Sequence, residues 1–220
     1  MKRLNPSVFF DADPRDIAPL VLGKLISHHY MNTWLTCRII DVEAYLLTEK
    51  GSHASLGYTP KRQALFAKPG TIYMYYARGN DSFNISCRGD GNALLIKSAY
   101  PFVREVDDEI RLMQELNKKG NKERKVSELC AGQTLLCKSL NLKVTEWDNK
   151  QFENGKLELL DDGYQTECYI VSRRLGIPKG RDEDLMYRYT DFNFARNSTN
   201  NPLRKGQIEK RDYYLNQVLD

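Results

Sequence analysis

Glu43 and Tyr45 stand two residues apart at the end of a mostly apolar run over residues 37–45. On a β-strand that spacing turns both side chains to one face, where the strand meets loops and a pocket can form. Gly51-Ser52-His53-Ala54 supplies an imidazole soon afterwards, and Pro69-Gly70-Thr71-Ile72-Tyr73-Met74-Tyr75 supplies further rings. A carboxylate in such a place can stabilise developing positive charge and take a proton from water. Converging flat rings suit a planar base attached to a sugar. The plainer alternative is an exposed glutamate beside a half-buried tyrosine, with His53 on a surface loop and Tyr75 in the core.

Several elements must position these groups. Alternation over residues 37–45 predicts a strand with Cys37, Ile39, Asp41, Glu43 and Tyr45 on one face, and Arg38, Ile40, Val42 and Ala44 on the other. Residues 71–76 predict a second strand with Tyr73 and Tyr75 on a common face. Residues 83–87 and 93–99 complete an antiparallel set around an Arg88-Gly89-Asp90-Gly91 turn. Asp13 caps a predicted helix carrying Ile17, Leu20, Val21 and Leu22, which Gly23 ends. Val103, Val106, Ile110, Met113 and Leu116 recur at helical spacing over residues 102–117, with Gly120 as terminator. Ser127, Leu129, Leu136 and Leu140 predict another helical stretch, and residues 197–202 a polar loop. The fold class expected is mixed α/β (α+β), one domain over residues 1–220 built on a largely antiparallel sheet.

The 220 residues are 41% hydrophobic and 28% charged, which excludes wholesale disorder. No apolar window is long enough to span a bilayer, and the first residues lack the apolar core of a secretory signal. Net charge is +4, compatible with a polyanionic partner without requiring one. Cys37, Cys87, Cys130, Cys137 and Cys168 are odd in number and contain no Cys-x-x-Cys pair, which fits reduced thiols in a cytoplasmic or nuclear compartment. His28, His29 and His53 are too few for a His-rich metal site, and no cofactor is expected.

Glu43-Ala44-Tyr45, His53, Thr59-Pro60, Phe66 and Lys68-Pro69-Gly70-Thr71-Ile72-Tyr73-Met74-Tyr75 follow one another in a specific order. Phe83-Asn84-Ile85-Ser86, Gly89-Asp90-Gly91, Ala93-Leu94-Leu95-Ile96-Lys97 and Glu128-Leu129-Cys130-Ala131-Gly132 continue it. Together, over about residues 8–190, they resemble the alkyladenine, or 3-methylpurine, DNA glycosylase family. The resemblance implies a curved antiparallel sheet and a monofunctional enzyme that flips damaged purines out of duplex DNA and removes them. It implies Glu43 as the general base and Tyr45, His53 and Tyr75 as rings that sandwich the purine. Asn84 takes the place of the residue that screens out normal guanine. Lys97 stands where the family commonly has an arginine, offering charge to DNA without a bidentate fork. The absence of a catalytic lysine in the family pattern implies an abasic product. A monomer acting on double-stranded DNA is expected.

Residues 76–82 depart from the family pattern, being one residue shorter, with Arg78 nearest the position of an aromatic wedge. Arg78 is therefore expected to plug the base stack, and to fill it less completely than a ring. That departure keeps a second reading open, a lesion- or structure-specific DNA-binding protein with little turnover. Hydrolysis of free nucleosides is a third. Lys118, Lys119, Lys122, Arg124 and Lys125 form a basic connector that either tracks phosphates or is simply solvated.

Overall fold

The computed structural model describes residues 1–103 and 108–218. Its elements run β1 (Lys2–Arg3), α1 (Pro6–Phe9), α2 (Pro14–Val21), β2 (Leu25–Tyr30), β3 (Thr33–Tyr45), β4 (Ile72–Ala77), β5 (Asn80–Ser86) and β6 (Ala93–Pro101). They continue as α3 (Asp108–Leu116), α4 (Gln133–Ser139), α5 (Val144–Trp147), β7 (Leu157–Asp161), β8 (Cys168–Ser172), β9 (Arg188–Asp191) and β10 (Tyr213–Gln217). Short 3-10 turns cover His53–Leu56 and Pro60–Phe66. The strands form an antiparallel sheet in the order β1-β7-β2-β3-β6-β5-β4. A branch, β9-β8-β10, leaves from the second half of β3. The mixed α/β arrangement around an antiparallel sheet is the one expected.

β3 is longer than its alternation predicts and is buried on both faces, so polarity does not mark its edges. The register against β6 shifts twice, between Ile39 and Asp41 and again between Asp41 and Val42. The first shift inserts Ile40 as an extra residue in β3, and the second leaves Lys97 unpaired in β6. A bulge reverses the alternation beyond it. Leu35, Cys37 and Ile39 therefore face the main core before it, and Val42 and Ala44 after it. Glu43 and Tyr45 do not share a face with Cys37 and Ile39, which corrects the single face expected for all five.

The main core lies between that face and the helices. Ile72 and Met74 of β4, Phe83 and Ile85 of β5, and Leu94 and Ile96 of β6 point into it, joined by Met113, Leu129, Leu136 and Leu140. Asp13 caps α2 through Arg15 N at 2.8 Å, and Gly23 follows with φ +85°. Leu20, one of the apolar residues of the predicted helix, is 57% exposed because α2 ends at Val21 and turns only a narrow stripe inward. Of the helix expected over residues 102–117, α3 covers Asp108–Leu116. β6 continues through Pro101, and Phe102 N still bonds Thr36 O, so the first expected residue belongs to the end of the sheet. Val103 is left exposed, and Val106 lies outside the described residues. The stretch around residues 127–140 divides into a 3-10 turn at Val126–Glu128 and α4, with Gly132 at φ +152° between them.

Candidate active site

The face of the sheet opposite the main core carries the candidate site residues. Pairing sets Tyr73 opposite Asn84, Asn84 opposite Leu95 and Leu95 opposite Glu43, so one row of side chains crosses four strands. Tyr75 and Tyr45 lie two residues further along their own strands on that face. A cleft of about 880 Å³ opens above the row. Tyr45, His53, Tyr75, Arg78, Asn84 and Lys97 all line it. Glu43 is fully enclosed and lies directly beneath, bonded to two of these residues. The structure thus brings all seven expected residues to one place.

Glu43 is held from three sides. Tyr45 Oη donates to Oε2 at 2.7 Å, and the Leu175 amide donates to Oε1 at 2.8 Å. The Lys97 ammonium lies 3.3 Å from Oε1 and 3.4 Å from Oε2. A carboxylate offers about four lone-pair directions, so acceptor capacity remains for a water proton. Burial, then the charge of Glu43 and the bond to it, pushes the Tyr45 phenol well above the ordinary tyrosine range. Tyr45 therefore keeps its proton near neutrality and donates its hydrogen bond to the carboxylate. Lys97 reaches Glu43 because the bulge in β6 frees it from the ladder. Its ammonium is directed at the carboxylate, and the side chain is 12% exposed.

The opposite wall is aromatic. The His53 and Tyr75 rings lie 4.4 Å apart, tilted by 63°, and His53 Nδ1 is 3.2 Å from Tyr73 Oη. Burial, then the charges of Arg62 and Arg181, holds the imidazole below the usual histidine range, so the ring is neutral near pH 7. Ala54, Ala64, Leu65, Tyr73 and Ala93 back this wall as a small apolar cluster separate from the main core. Gly91, with φ +75°, lets the preceding turn pass under the wall. A Cβ there would stand 2.7 Å from Ala54 Cβ and 2.8 Å from Leu47 Cδ1. Asn84 donates Nδ2–H to Tyr73 O at 3.1 Å, which fixes its amide at the floor of the cleft.

Arg78 and Gly79 form a two-residue hairpin tip between the paired residues Ala77 and Asn80, with φ +51° and +78°. The Arg78 side chain is exposed at the cleft's rim, beside Tyr76, which is 57% exposed. In the basic connector, Lys119, Lys122 and Lys125 are exposed, whereas Arg124 turns back to donate to Asn117 O at 2.9 Å.

Sequence reasoning did not find the rest of the wall. Leu175 contributes a backbone amide, which no residue type reveals. Gly132, Gln133, Thr134, Thr199 and Asn200 close another side. The loop bearing Thr199 and Asn200 is tied down by fully buried Arg188, whose Nη2 donates to Asp41 Oδ2 at 2.8 Å and to Thr199 O at 2.6 Å. Asp41, two residues before Glu43, carried a signal as a carboxylate inside an apolar strand. It serves as the loop's anchor.

A profile described as methylpurine-DNA glycosylase matches residues 8–193. A protein of Pseudomonas aeruginosa (strain LESB58), named "Putative 3-methyladenine DNA glycosylase", is 54% identical over 213 residues, 96% of this chain and 89% of that protein. A protein of Pseudomonas savastanoi pv. phaseolicola with the same name is 54% identical over 96% of this chain and 97% of its own length. A more distant one from Koribacter versatilis, again with that name, is 29% identical over 83% of this chain and 87% of its own.

Proposed function

The chain belongs to the methylpurine-DNA glycosylase family, and on that premise we propose that it removes alkylated purines, 3-methyladenine among them, from duplex DNA as a monofunctional, base-flipping hydrolase. The observation that carries this reading is the Glu43 carboxylate, gripped by Tyr45 and Lys97 beneath a cleft whose far wall is His53 and Tyr75.

The purine enters between Tyr45 and the His53–Tyr75 pair. Electron-rich faces favour a positively charged ring by about 0.5–2 kcal/mol per contact. An alkylated base also pairs and stacks less well in the duplex, so extrusion costs less, and the two preferences multiply. Asn84 at the floor meets the edge of the base and screens out a guanine amino group. As the N-glycosidic bond breaks, positive charge grows on the deoxyribose. Glu43 stabilises that charge and accepts a proton from the attacking water. A purine alkylated at N3 or N7 is already cationic and departs neutral, so no general acid is required.

Among the described residues Lys97 is the one lysine lining the cleft, and its Nζ is turned to the Glu43 carboxylate rather than free to meet a sugar carbon, which supports hydrolysis to an abasic site over strand cleavage. Arg78, at the tip of its hairpin, enters the stack behind the flipped nucleotide.

The test is to incubate the protein with methylated duplex and analyse both released bases and alkali-labile sites. The reading expects free methylated purine and an equal number of alkali-labile sites, with no strand breaks before alkali. Lesion-selective binding without release would point to the DNA-binding alternative. Activity confined to nucleosides would refute both. Arg78→Ala is expected to weaken lesion-duplex affinity and excision together, and equal values would remove Arg78 from the mechanism.

A further inference from the structure

Against the Tyr45 ring, and not among the residues that line the cleft, lies a second charged group, which places it on the ring's outer side. The Arg174 side chain is 1% exposed. Its Nη1 donates to Ala44 O at 2.9 Å and pairs with Glu49 Oε2. Nε and Nη2 are buried without a hydrogen-bond partner. The guanidinium instead rests on ring faces, 4.5 Å from the centre of Tyr45 and 5.6 Å from that of Tyr187. Leaving the three N–H donors of Nε and Nη2 without partners is costly, so this cation is retained against a penalty. Glu49 is 5% exposed, and its Oε1 also lacks a partner.

We propose that Arg174 and Glu49 form a specificity-determining pair, a charge fixed on the outer face of Tyr45 that sets how well the cleft accepts a cationic purine relative to a neutral one. The proposal rests on the reading of the cleft as a purine site. A purine stacked on the inner face of Tyr45 would lie roughly 8 Å from the guanidinium, where two unit charges at an effective dielectric near 20 repel by the equivalent of about thirtyfold in an equilibrium constant. The Glu49 carboxylate, paired to the same guanidinium, cancels most of that repulsion. With the pair intact, the ring offers a cation its negative face; without Glu49, the cation meets another cation. A neutral purine feels neither change to first order.

The two members therefore have opposite effects, which a purely structural role would not produce. The measurement uses the Glu43→Gln protein, so that binding is read without turnover. The probes are one duplex carrying N3-methyladenine, which is cationic, and the same duplex carrying 1,N6-ethenoadenine, which is neutral; neither has the guanine amino group that Asn84 excludes. Adding Glu49→Gln is expected to lower the affinity ratio, cationic over neutral, by about tenfold. Adding Arg174→Met to Glu49→Gln, which removes both charges at similar volume, is expected to return the ratio to its starting value or above. The ratio is taken within one preparation, so any misfolded fraction lowers both arms alike. A ratio unmoved by Glu49→Gln, or moved further down by the second substitution, overturns the charge-pair proposal while leaving the site intact. Lesion duplexes bound no better than undamaged duplex overturn the purine site and the pair with it.

Discussion

Glu43 makes three polar contacts, and the two from side chains can be removed separately. Tyr45→Phe keeps the stacking ring and deletes the 2.7 Å bond to the carboxylate. It is expected to slow base release by about tenfold in single turnover while leaving lesion affinity within about twofold. Lys97→Met removes the cation that spans both oxygens and is expected to slow release by about tenfold or more, with partial rescue in Lys97→Arg. A loss confined to affinity in either variant would mean that the contact serves binding alone. At this scale the sequence was informative wherever a side chain type announced its chemistry, as with Glu43, His53 and Tyr75. It was silent where a backbone group does the work, as with the Leu175 amide. It also does not tell that Lys97 faces Glu43, because that depends on a bulge.

The elements hold the site through a few buried charges. Asp41 of β3 ties β9 and the loop of residues 197–202 through Arg188. Asp41→Asn leaves a buried guanidinium without its counter-charge and is expected to cost about 3–5 kcal/mol of stability, measured by chemical denaturation. Faster amide exchange over residues 198–201 should accompany it. A loss below about 1 kcal/mol would show that the loop is held by other contacts. A second anchor, Arg38 with Asp162, predicts a pH dependence. The bond to Arg38 holds the Asp162 carboxyl below the usual aspartate range. A depressed folded value means that the stabilisation is complete above the unfolded value of about 3.9 and is lost as pH falls through the folded one. Asp162→Asn should therefore be less stable than the parent at pH 7, by about 1 kcal/mol, and equal to it at the acid extreme. The strands were readable because β-branched and aromatic residues alternate. The bulge after Ile39 was not, since nothing in Arg38-Ile39-Ile40-Asp41 distinguishes an inserted residue from a paired one. The helix expected over residues 102–117 is present as α3, with Ile110, Met113 and Leu116 on it, but its start was placed too early, because Pro101 still pairs with Cys37 at the end of β6.

Across the whole molecule, a net charge of +4 gives a weak general attraction to a polyanion, and local clusters must supply the rest. Lys119, Lys122 and Lys125 are exposed, while Arg124 is occupied with Asn117. Replacing those three lysines by glutamine is expected to make the salt dependence of duplex affinity shallower by about 2–3 in logarithmic slope. An unchanged slope would assign the connector to solvent. Family membership was legible at this scale only through the ordered series of motifs from Glu43 to Gly132. Composition alone admits any soluble α/β protein, whereas the spacing of those motifs reflects one arrangement of strands around one cleft.

In the proposed mechanism one enclosed carboxylate, Glu43, acts on a purine held between Tyr45 and the His53–Tyr75 wall. The parent and Glu43→Gln are to be compared in single-turnover release from a duplex bearing one alkylated purine, with affinity for the same duplex measured in parallel. Release is expected to fall by at least about a hundredfold while affinity stays within a few fold. Release at the parental rate from Glu43→Gln would contradict that mechanism.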